Sequence, residues 1–112
     1  MIISVTKIKT LYAEGVRDFS NADITGGAGY ELNNTDLSGC NFSGANFNGA
    51  TLAGSNLSRC NFGGADISCC DFAGCDFTGC DFTDADLRVS DLSGCNFSDC
   101  NFSGAIGTPK IS

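Results

Sequence analysis

Cysteines and acidic residues are the side chains in this chain that could do chemistry. Its 112 residues include eight Cys, thirteen Asp or Glu and no His. A thiolate can act as a nucleophile or bind a soft metal, and paired carboxylates can share general acid and base roles. Both residue types recur at multiples of five, however, and that spacing must be explained before chemistry is assigned to them.

Seven of the eight cysteines occupy one slot of a five-residue pattern, where Ala, Ser or Thr stands in other copies: Cys40, Cys60, Cys70, Cys75, Cys80, Cys95 and Cys100. We therefore interpret them as small buried hydrophobic residues. A disulfide framework is the alternative that eight cysteines in a short chain suggest, and a reducing cytosol disfavours it. No metal site is expected, because the chain has no CxxC motif and thiols in a line cannot surround a tetrahedral ion.

Cys69 is the one cysteine outside that slot, at a position that should face outward. It is the predicted reactive thiol, able to link two chains, because reactivity requires exposure. The alternative is an incidental exposed cysteine.

Six consecutive copies of the pattern carry an aspartate in an outward slot: Asp66, Asp71, Asp76, Asp81, Asp86 and Asp91. With a net charge of -7, no direct binding to nucleic acid or to an anionic membrane is expected, and a basic partner is favoured. The six aspartates are a predicted interaction surface. The alternative is a solvated acidic face that keeps the protein soluble.

Catalysis has no support in the sequence. There is no His, no Ser beside a base, and no phosphate-binding glycine loop, since the glycines recur at fixed spacing as turn residues. The paired carboxylates would lie on a convex surface without a cleft. We expect a protein that is not an enzyme and needs no cofactor.

The pattern itself is a five-residue unit repeated fifteen times from Tyr30 to Gly104: small residue, Asp or Asn, Leu or Phe, Ser or Thr, Gly. Its first and third positions share one face of a short extended segment. The fifth is Gly in nine of the fifteen units, which supplies the positive φ of a type II turn. Each unit is therefore predicted to be a strand of two or three residues plus a corner, and four corners close a coil of about twenty residues.

Sorting the units by twenty supports that coil. One set of first positions is Cys40, Cys60, Cys80 and Cys100, with Phe42, Phe62, Phe82 and Phe102 at its centres. Another set is Ala45, Ala65, Ala85 and Ala105. Pure columns of Cys and Ala would not separate if a period of twenty had no meaning.

At residues 16–106 the repeat resembles that of the pentapeptide-repeat proteins, and residues 11–19 resemble the entry segment of cyanobacterial members. The resemblance implies an all-β fold, a right-handed quadrilateral parallel β-helix, here a solenoid of about 4.5 coils. Some members of the family protect DNA gyrase by mimicking duplex DNA in shape and charge.

A single domain is expected, with an N-terminal helical cap at residues 1–15, the β-helix at 16–106 and a tail at 107–112. The cap is predicted from apolar residues at helical spacing, with Ser4 or Thr6 as N-cap and Gly15 as the stop; the apolar residues are Val5, Ile8, Leu11 and Tyr12. Eight residues instead of five separate Ile24 from Leu32. Three extra residues are therefore predicted in a loop at 25–29.

The last coil should be nearly bare, lined by Leu87, Leu92, Phe97 and Phe102. An exposed apolar patch often marks association, so a homodimer is predicted through a face formed by Leu92, Phe97 and Phe102. The alternative is that Ile106, Pro109 and Ile111 fold over this face.

The expected function is that of a structural or protein-interaction module with an unknown protein partner. The alternative, which the resemblance implies, is an acidic DNA mimic that binds or protects a type II topoisomerase. No segment approaches the ~20 apolar residues of a membrane span, and the first ten residues lack a signal-peptide pattern. A cytoplasmic location is therefore expected.

Overall fold

Each five-residue unit folds as one bridge residue followed by a turn. In the computed structural model, which describes residues 2–24 and 32–108, the second position forms a parallel β-bridge and the fourth and fifth form the turn. The predicted strands of two or three residues are thus reduced to single bridges in the described ranges. Two of every five residues are taken by the corner, so too few remain for a continuous strand.

The bridges join residues twenty apart, which makes one coil twenty residues long. Each bridge from Asp18 onward has two backbone hydrogen bonds; for example, the Asn61 N–H donates to the Cys40 carbonyl at 3.0 Å, and the Phe42 N–H donates to the Asn61 carbonyl at 2.7 Å. The bridges run along four faces. Face 1 carries Asp18, Asn41, Asn61, Asp81 and Asn101; face 2 carries Ile2, Asp23, Asn46, Asp66, Asp86 and Ile106; face 3 carries Thr51, Asp71 and Asp91; face 4 carries Asp36, Asn56, Asp76 and Asn96.

The first coil is offset by three residues. Asp18 pairs with Asn41, and Asp23 pairs with Asn46, so these partners are 23 residues apart rather than twenty. The offset keeps Phe19 in register with Phe42. The loop predicted at 25–29 lies outside the described residues.

The one helix within the described ranges, α1, spans Val5–Ala13. Of the two predicted caps Ser4 is the one used, because its side chain accepts a hydrogen bond from the Lys7 N–H at 3.2 Å. Gly15, at φ 96°, turns the chain away after the helix. Ile8 on the inner face of α1 is fully buried.

Two features hold the N-terminus on the first coil. The Tyr12 hydroxyl donates a hydrogen bond to the Ser38 carbonyl at 2.9 Å. Ile2 extends face 2 by bridging to Asp23, and Ile3 is buried beside it. This bridge was not predicted, because two isoleucines before a helix carry no repeat pattern.

The interior is organised around a column of five stacked phenylalanines. Neighbouring ring centroids are 5.1 to 5.5 Å apart and nearly parallel, in the order Phe19, Phe42, Phe62, Phe82, Phe102. Phe77 meets Phe82 edge to face at 5.3 Å. The aromatic contacts therefore run both between coils and across them.

The final coil leaves its interior partly open. Leu92, Phe97 and Phe102 are only partly buried, whereas the equivalent Phe72, Phe77 and Phe82 one coil earlier are fully buried.

The prediction that Leu87 lines the open coil was wrong. Its N–H donates to the Ile106 carbonyl at 2.9 Å, and its side chain is buried. Ile106 does not fold over the open coil, because it is the last bridge residue of face 2 and is 48% exposed. Pro109 and Ile111 lie outside the described residues.

Within residues 2–24 and 32–108, no helix combines the length and apolar character needed to cross a bilayer.

Candidate functional site

The outward aspartates and asparagines first serve the turns. In fourteen units the second-position Oδ1 accepts a hydrogen bond from the N–H two residues later, as Asp76 does from Thr78 at 2.9 Å and Asn56 from Ser58 at 3.0 Å. This Asx geometry stabilises a turn in place of a backbone bond. The sequence-based interpretation of these aspartates as purely outward charge missed this role. The sequence carried a signal of it, because uncharged Asn fills the same second position in several units, which a purely charged surface would not explain.

The six predicted interaction aspartates are spread over all four faces. Asp66 lies directly across the bridge from Asp86 on face 2, and Asp71 across from Asp91 on face 3. On faces 1 and 4 an aspartate is flanked only by asparagines, as Asp81 is by its two bridge partners. Like charges therefore stack only on faces 2 and 3, which are adjacent.

Hydrogen bonds keep several of these carboxylates ionised. The Thr78 hydroxyl and N–H lower the pKa of Asp76, and the Thr83 hydroxyl and N–H lower that of Asp81. The Ser93 hydroxyl and N–H lower the pKa of Asp91 in the same way. A bond that favours the charged form lowers a carboxyl pKa.

Asp86 differs from the other five because a base neutralises it. Arg88 forms a bidentate contact, with Nε 3.0 Å from Oδ1 and Nη2 2.8 Å from Oδ2. This pair lowers the pKa of Asp86 and raises that of Arg88. The charge stacking on face 2 is correspondingly reduced.

Every fifth position of the fifteen units has a positive φ, between 53° and 79°. Nine are Gly, and the others are Asn34, Arg59, Cys69, Asp84, Val89 and Asp99. Cys69 is exposed at such a corner, between faces 2 and 3. Val89 occupies the same corner one coil later, at φ 66° and 86% exposed.

The first-position cysteines donate hydrogen bonds between coils. In six of the seven the Sγ contacts the carbonyl of a central residue 23 positions earlier at 2.9 to 3.2 Å, in the pairs Cys60–Leu37, Cys70–Phe47, Cys75–Leu52, Cys80–Leu57, Cys95–Phe72 and Cys100–Phe77. Ser90 makes the same contact with Ile67 at 2.6 Å, and Ser55 makes it with Leu32. Reading these cysteines as small hydrophobes missed the donor role, which the alternation of Cys with Ser and Thr could have revealed.

All eight cysteines are free thiols in this structure. Burial raises the pKa of Cys70, Cys75 and Cys80 to about 12. The hydrogen bond with the Cys40 thiol, together with burial, raises the pKa of Cys60. Such thiols stay protonated near neutral pH and are poor nucleophiles. Among the described residues, no group of three or more His, Cys, Asp or Glu side chains is arranged to hold a metal ion.

Solved structures include several similar chains. A pentapeptide repeat protein of Nostoc PCC 7120, alr5209, is 30% identical with a TM-score of 0.58, over 88% of this chain and 81% of that one. A pentapeptide repeat protein of the Arabidopsis thaliana thylakoid lumen is 29% identical, with a TM-score of 0.41 over 80% of this chain and 60% of that one. HetL of Nostoc, involved in heterocyst differentiation regulation, is 27% identical, with a TM-score of 0.34 over 80% and 46%. The chain thus spans less than two thirds of the latter two proteins.

No curated protein gives a match. The family model for pentapeptide repeats, in eight copies, matches residues 31–68 and 70–106. The twenty-residue coil and the bridge-plus-turn unit agree with that match along its length. The chain therefore belongs to the pentapeptide repeat family, whose proteins form right-handed quadrilateral β-helices.

Proposed function

We propose that this protein is a right-handed quadrilateral β-helix of about 4.5 coils that acts as a non-enzymatic structural or protein-interaction module in the cytoplasm. In this proposal residues 1–15 are the cap, residues 16–106 the β-helix and residues 107–112 the tail of a single domain. Cytoplasmic placement is supported by first-position thiols that serve as hydrogen-bond donors, a role that oxidation would abolish.

The interaction role rests on the different use of the two oxygens in the outward carboxylates. Oδ1 is committed to the turn, whereas no hydrogen bond within the described ranges reaches Oδ2 of Asp66, Asp71, Asp76, Asp81 or Asp91. Outside the last coil, the inward positions of the described residues are buried and occupied by packing. A partner would therefore meet a regular array of carboxylate oxygens held by the turns, and a basic surface has the complementary charge.

The chain itself provides the matched variant for testing this surface. Asn occupies the second position in several units and makes the same turn hydrogen bond. Replacing all six aspartates of the predicted surface by Asn should keep the fold and remove six negative charges. Affinity capture with the wild-type protein and with this variant, compared at equal circular dichroism, should then identify partners that only the wild type retains. If both baits capture the same proteins equally, the acidic surface is not the docking site.

The second candidate is a DNA mimic that binds a type II topoisomerase, and charge density favours it. Residues 30–106 carry ten acids and two bases, a net charge of -8, over roughly 18 Å of stacked coils. Duplex DNA carries about eleven charges in that length. The resemblance to a DNA backbone is incomplete, because like charges stack only on faces 2 and 3 and because Arg88 pairs with Asp86.

A supercoiling assay with purified gyrase separates the two candidates. A DNA mimic should inhibit or protect gyrase, and the six-Asn variant should lose that effect. Unchanged supercoiling at high micromolar protein would eliminate the mimic and leave the interaction module.

We also propose that two copies associate through the open coil formed by Leu92, Phe97 and Phe102. These side chains are partly exposed, whereas their equivalents one coil earlier are buried. Analytical ultracentrifugation should show a concentration-dependent dimer that Phe102→Asp weakens. Val89→Asp, on the exposed corner between faces 2 and 3, is the control that should leave it unchanged. A monomer at all concentrations would refute the association.

A further inference from the structure

Two pairs of cysteines reach the open end of the coil stack, and each pair is stacked across one coil. Cys95 and Cys100 are partly exposed in the last coil, and Cys75 and Cys80 are buried directly beneath them. All four are free thiols.

The sulfur atoms of each pair face the same direction. Cys80 contacts the Leu57 carbonyl at 2.9 Å, and Cys100 contacts the equivalent Phe77 carbonyl at 3.0 Å. Because the same contact recurs one coil later, the two sulfur atoms repeat at the coil spacing of ~4.8 Å. Cys75 and Cys95 repeat in the same way, each 3.0 Å from its carbonyl.

That spacing selects one coordination geometry. Two metal–sulfur bonds of about the zinc–thiolate length, ~2.3 Å, laid end to end span ~4.6 Å, which is close to the spacing of the stacked sulfur atoms. A disulfide needs the sulfur atoms at ~2.05 Å, and a tetrahedral ion needs them at roughly 3.8 Å with two further ligands. Linear two-coordination is typical of soft d10 cations such as Cu(I) and Ag(I), for which thiolate is the preferred ligand.

We propose that the pairs Cys75–Cys95 and Cys80–Cys100 each bind one linearly coordinated soft monovalent cation. At each pair two S–H bonds break, two sulfur–metal bonds form and two protons pass to solvent, with no change in the oxidation state of the metal. The Phe72 carbonyl keeps a donor after proton loss, because the Cys75 N–H also donates to it at 3.0 Å. The Phe77 carbonyl likewise keeps a donor, because the Cys80 N–H donates to it at 3.1 Å.

The two proposed pairs differ from the buried Cys60 in that each has a partly exposed member in the last coil. Cys70 shows what a cysteine without a stacked partner lacks. It is buried and makes the same carbonyl contact, but Ala50 and Ser90 occupy the equivalent positions in the neighbouring coils. It therefore has no stacked thiol partner. Ser90, bonded to Ile67, shows that serine fits this slot without loss of the inter-coil hydrogen bond.

The test is a titration of the folded, reduced Cys60→Ser/Cys69→Ser protein with silver nitrate in chloride-free buffer, read by native mass spectrometry and circular dichroism. Cys60→Ser is included because Cys60 stacks with both Cys40 and Cys80 and would otherwise offer further thiol pairs. We expect two silver ions per chain within minutes, one after adding Cys95→Ser or Cys100→Ser, and none after adding both. Cys70→Ser is the matched control and should retain two. Four protons should be released per chain at saturation.

Three results would overturn the proposal. The first is a silver count unchanged by Cys95→Ser and Cys100→Ser. The second is loss of the circular dichroism signal in step with binding, which would place the metal on unfolded chain. The third is equal competition by Zn²⁺, since a tetrahedral ion should not use a linear pair.

Discussion

The side-chain oxygen Oδ1 of Asn21 occupies the space that a Cβ atom on Gly44 would need. Gly64 stands at the same corner one coil later with the same φ of 66°, yet has nothing within 4 Å of that position. Backbone strain is therefore equal at the two glycines, and only steric contact distinguishes them.

We expect Gly64→Ala to lower the free energy of unfolding by about 1 kcal/mol, the cost of a left-handed conformation for a residue with a Cβ. Gly44→Ala should cost roughly 1–3 kcal/mol more, because the Asn21 side chain must move. Chemical denaturation of both variants measures the difference. Adding Asn21→Ala should bring the cost of Gly44→Ala to that of Gly64→Ala, and an unchanged gap would show that the contact is not its cause.

The backbone of Val89 is strained, and its side chain has no buried contact that offsets the strain. A β-branched residue at φ 66° and 86% exposure has little packing to lose. Val89→Gly should therefore stabilise the protein by about 1 kcal/mol. Gly49→Val, at the same corner and in open space, should destabilise it by a similar amount. Thermal unfolding that shows Val89→Gly to be destabilising would mean that Val89 makes a contact this explanation omits.

Phe82 and Phe102 test how much the stacked column contributes to stability. Phe82 is fully buried between Phe62 and Phe102, so Phe82→Ala should cost roughly 3–5 kcal/mol. Phe102 is partly exposed in the last coil, and Phe102→Ala should cost markedly less. Equal losses in urea denaturation would indicate that Phe102 is covered in solution, as in the proposed dimer, and dilution should then restore the difference.

Acid should weaken the hydrogen bonds to aspartate selectively. The pKa of Asp76 is lowered from its ordinary 3.8 by Thr78, so its stabilising contribution is complete above pH ~4 and is lost as pH falls through the lowered value. Thr78→Ala should cost about 1 kcal/mol or less at pH 6 and progressively less below pH 4.

Ser58→Ala is the control, because Ser58 makes the same bond to Asn56, at 2.7 Å, which does not titrate. Its cost should not change with pH. Denaturation at several pH values that gives parallel behaviour for Thr78→Ala and Ser58→Ala would contradict the assignment.

Thiol exposure orders the cysteines by reactivity. Cys69 is exposed, Cys95 and Cys100 are partly buried, and the other five are buried. A chromogenic disulfide reagent under native conditions should show one fast thiol, two slower ones and five that react only on unfolding. Cys69→Ser should remove the fast phase and Cys70→Ser should leave it intact. Many fast thiols, or none, would refute the proposed reactivity of Cys69.

The sequence predicted the coil because its repeat is strict. Columns of Cys and Ala at a period of twenty required coils of that length, and the bridges follow that period from Asp36 to Ile106. The three-residue excess between Ile24 and Leu32 reappears in the 23-residue separation of Asp23 and Asn46. The period of the sequence determines the register of the coils directly, so these features could be predicted without knowledge of packing.

The side-chain contacts that could not be predicted from the sequence depend on the direction in which each side chain points. The Sγ of Cys80 points to a carbonyl rather than to another thiol, and Oδ1 of Asp76 turns back to its own corner. Both choices require backbone positions that the repeat alone does not specify. The pairing of Ile2 with Asp23 was missed for a different reason, because it is an unrepeated contact.

The twenty-residue step of the bridges also bears on how the chain is made. Each coil contacts only its immediate neighbours, so folding can propagate from one coil to the next. At synthesis rates of about 5–20 residues per second, a new coil would leave the ribosome roughly every one to four seconds. It could dock at once on the coil before it, beginning from the layer that α1 and Ile2 cover. We therefore expect the protein to fold vectorially during translation, with one open edge exposed at each moment.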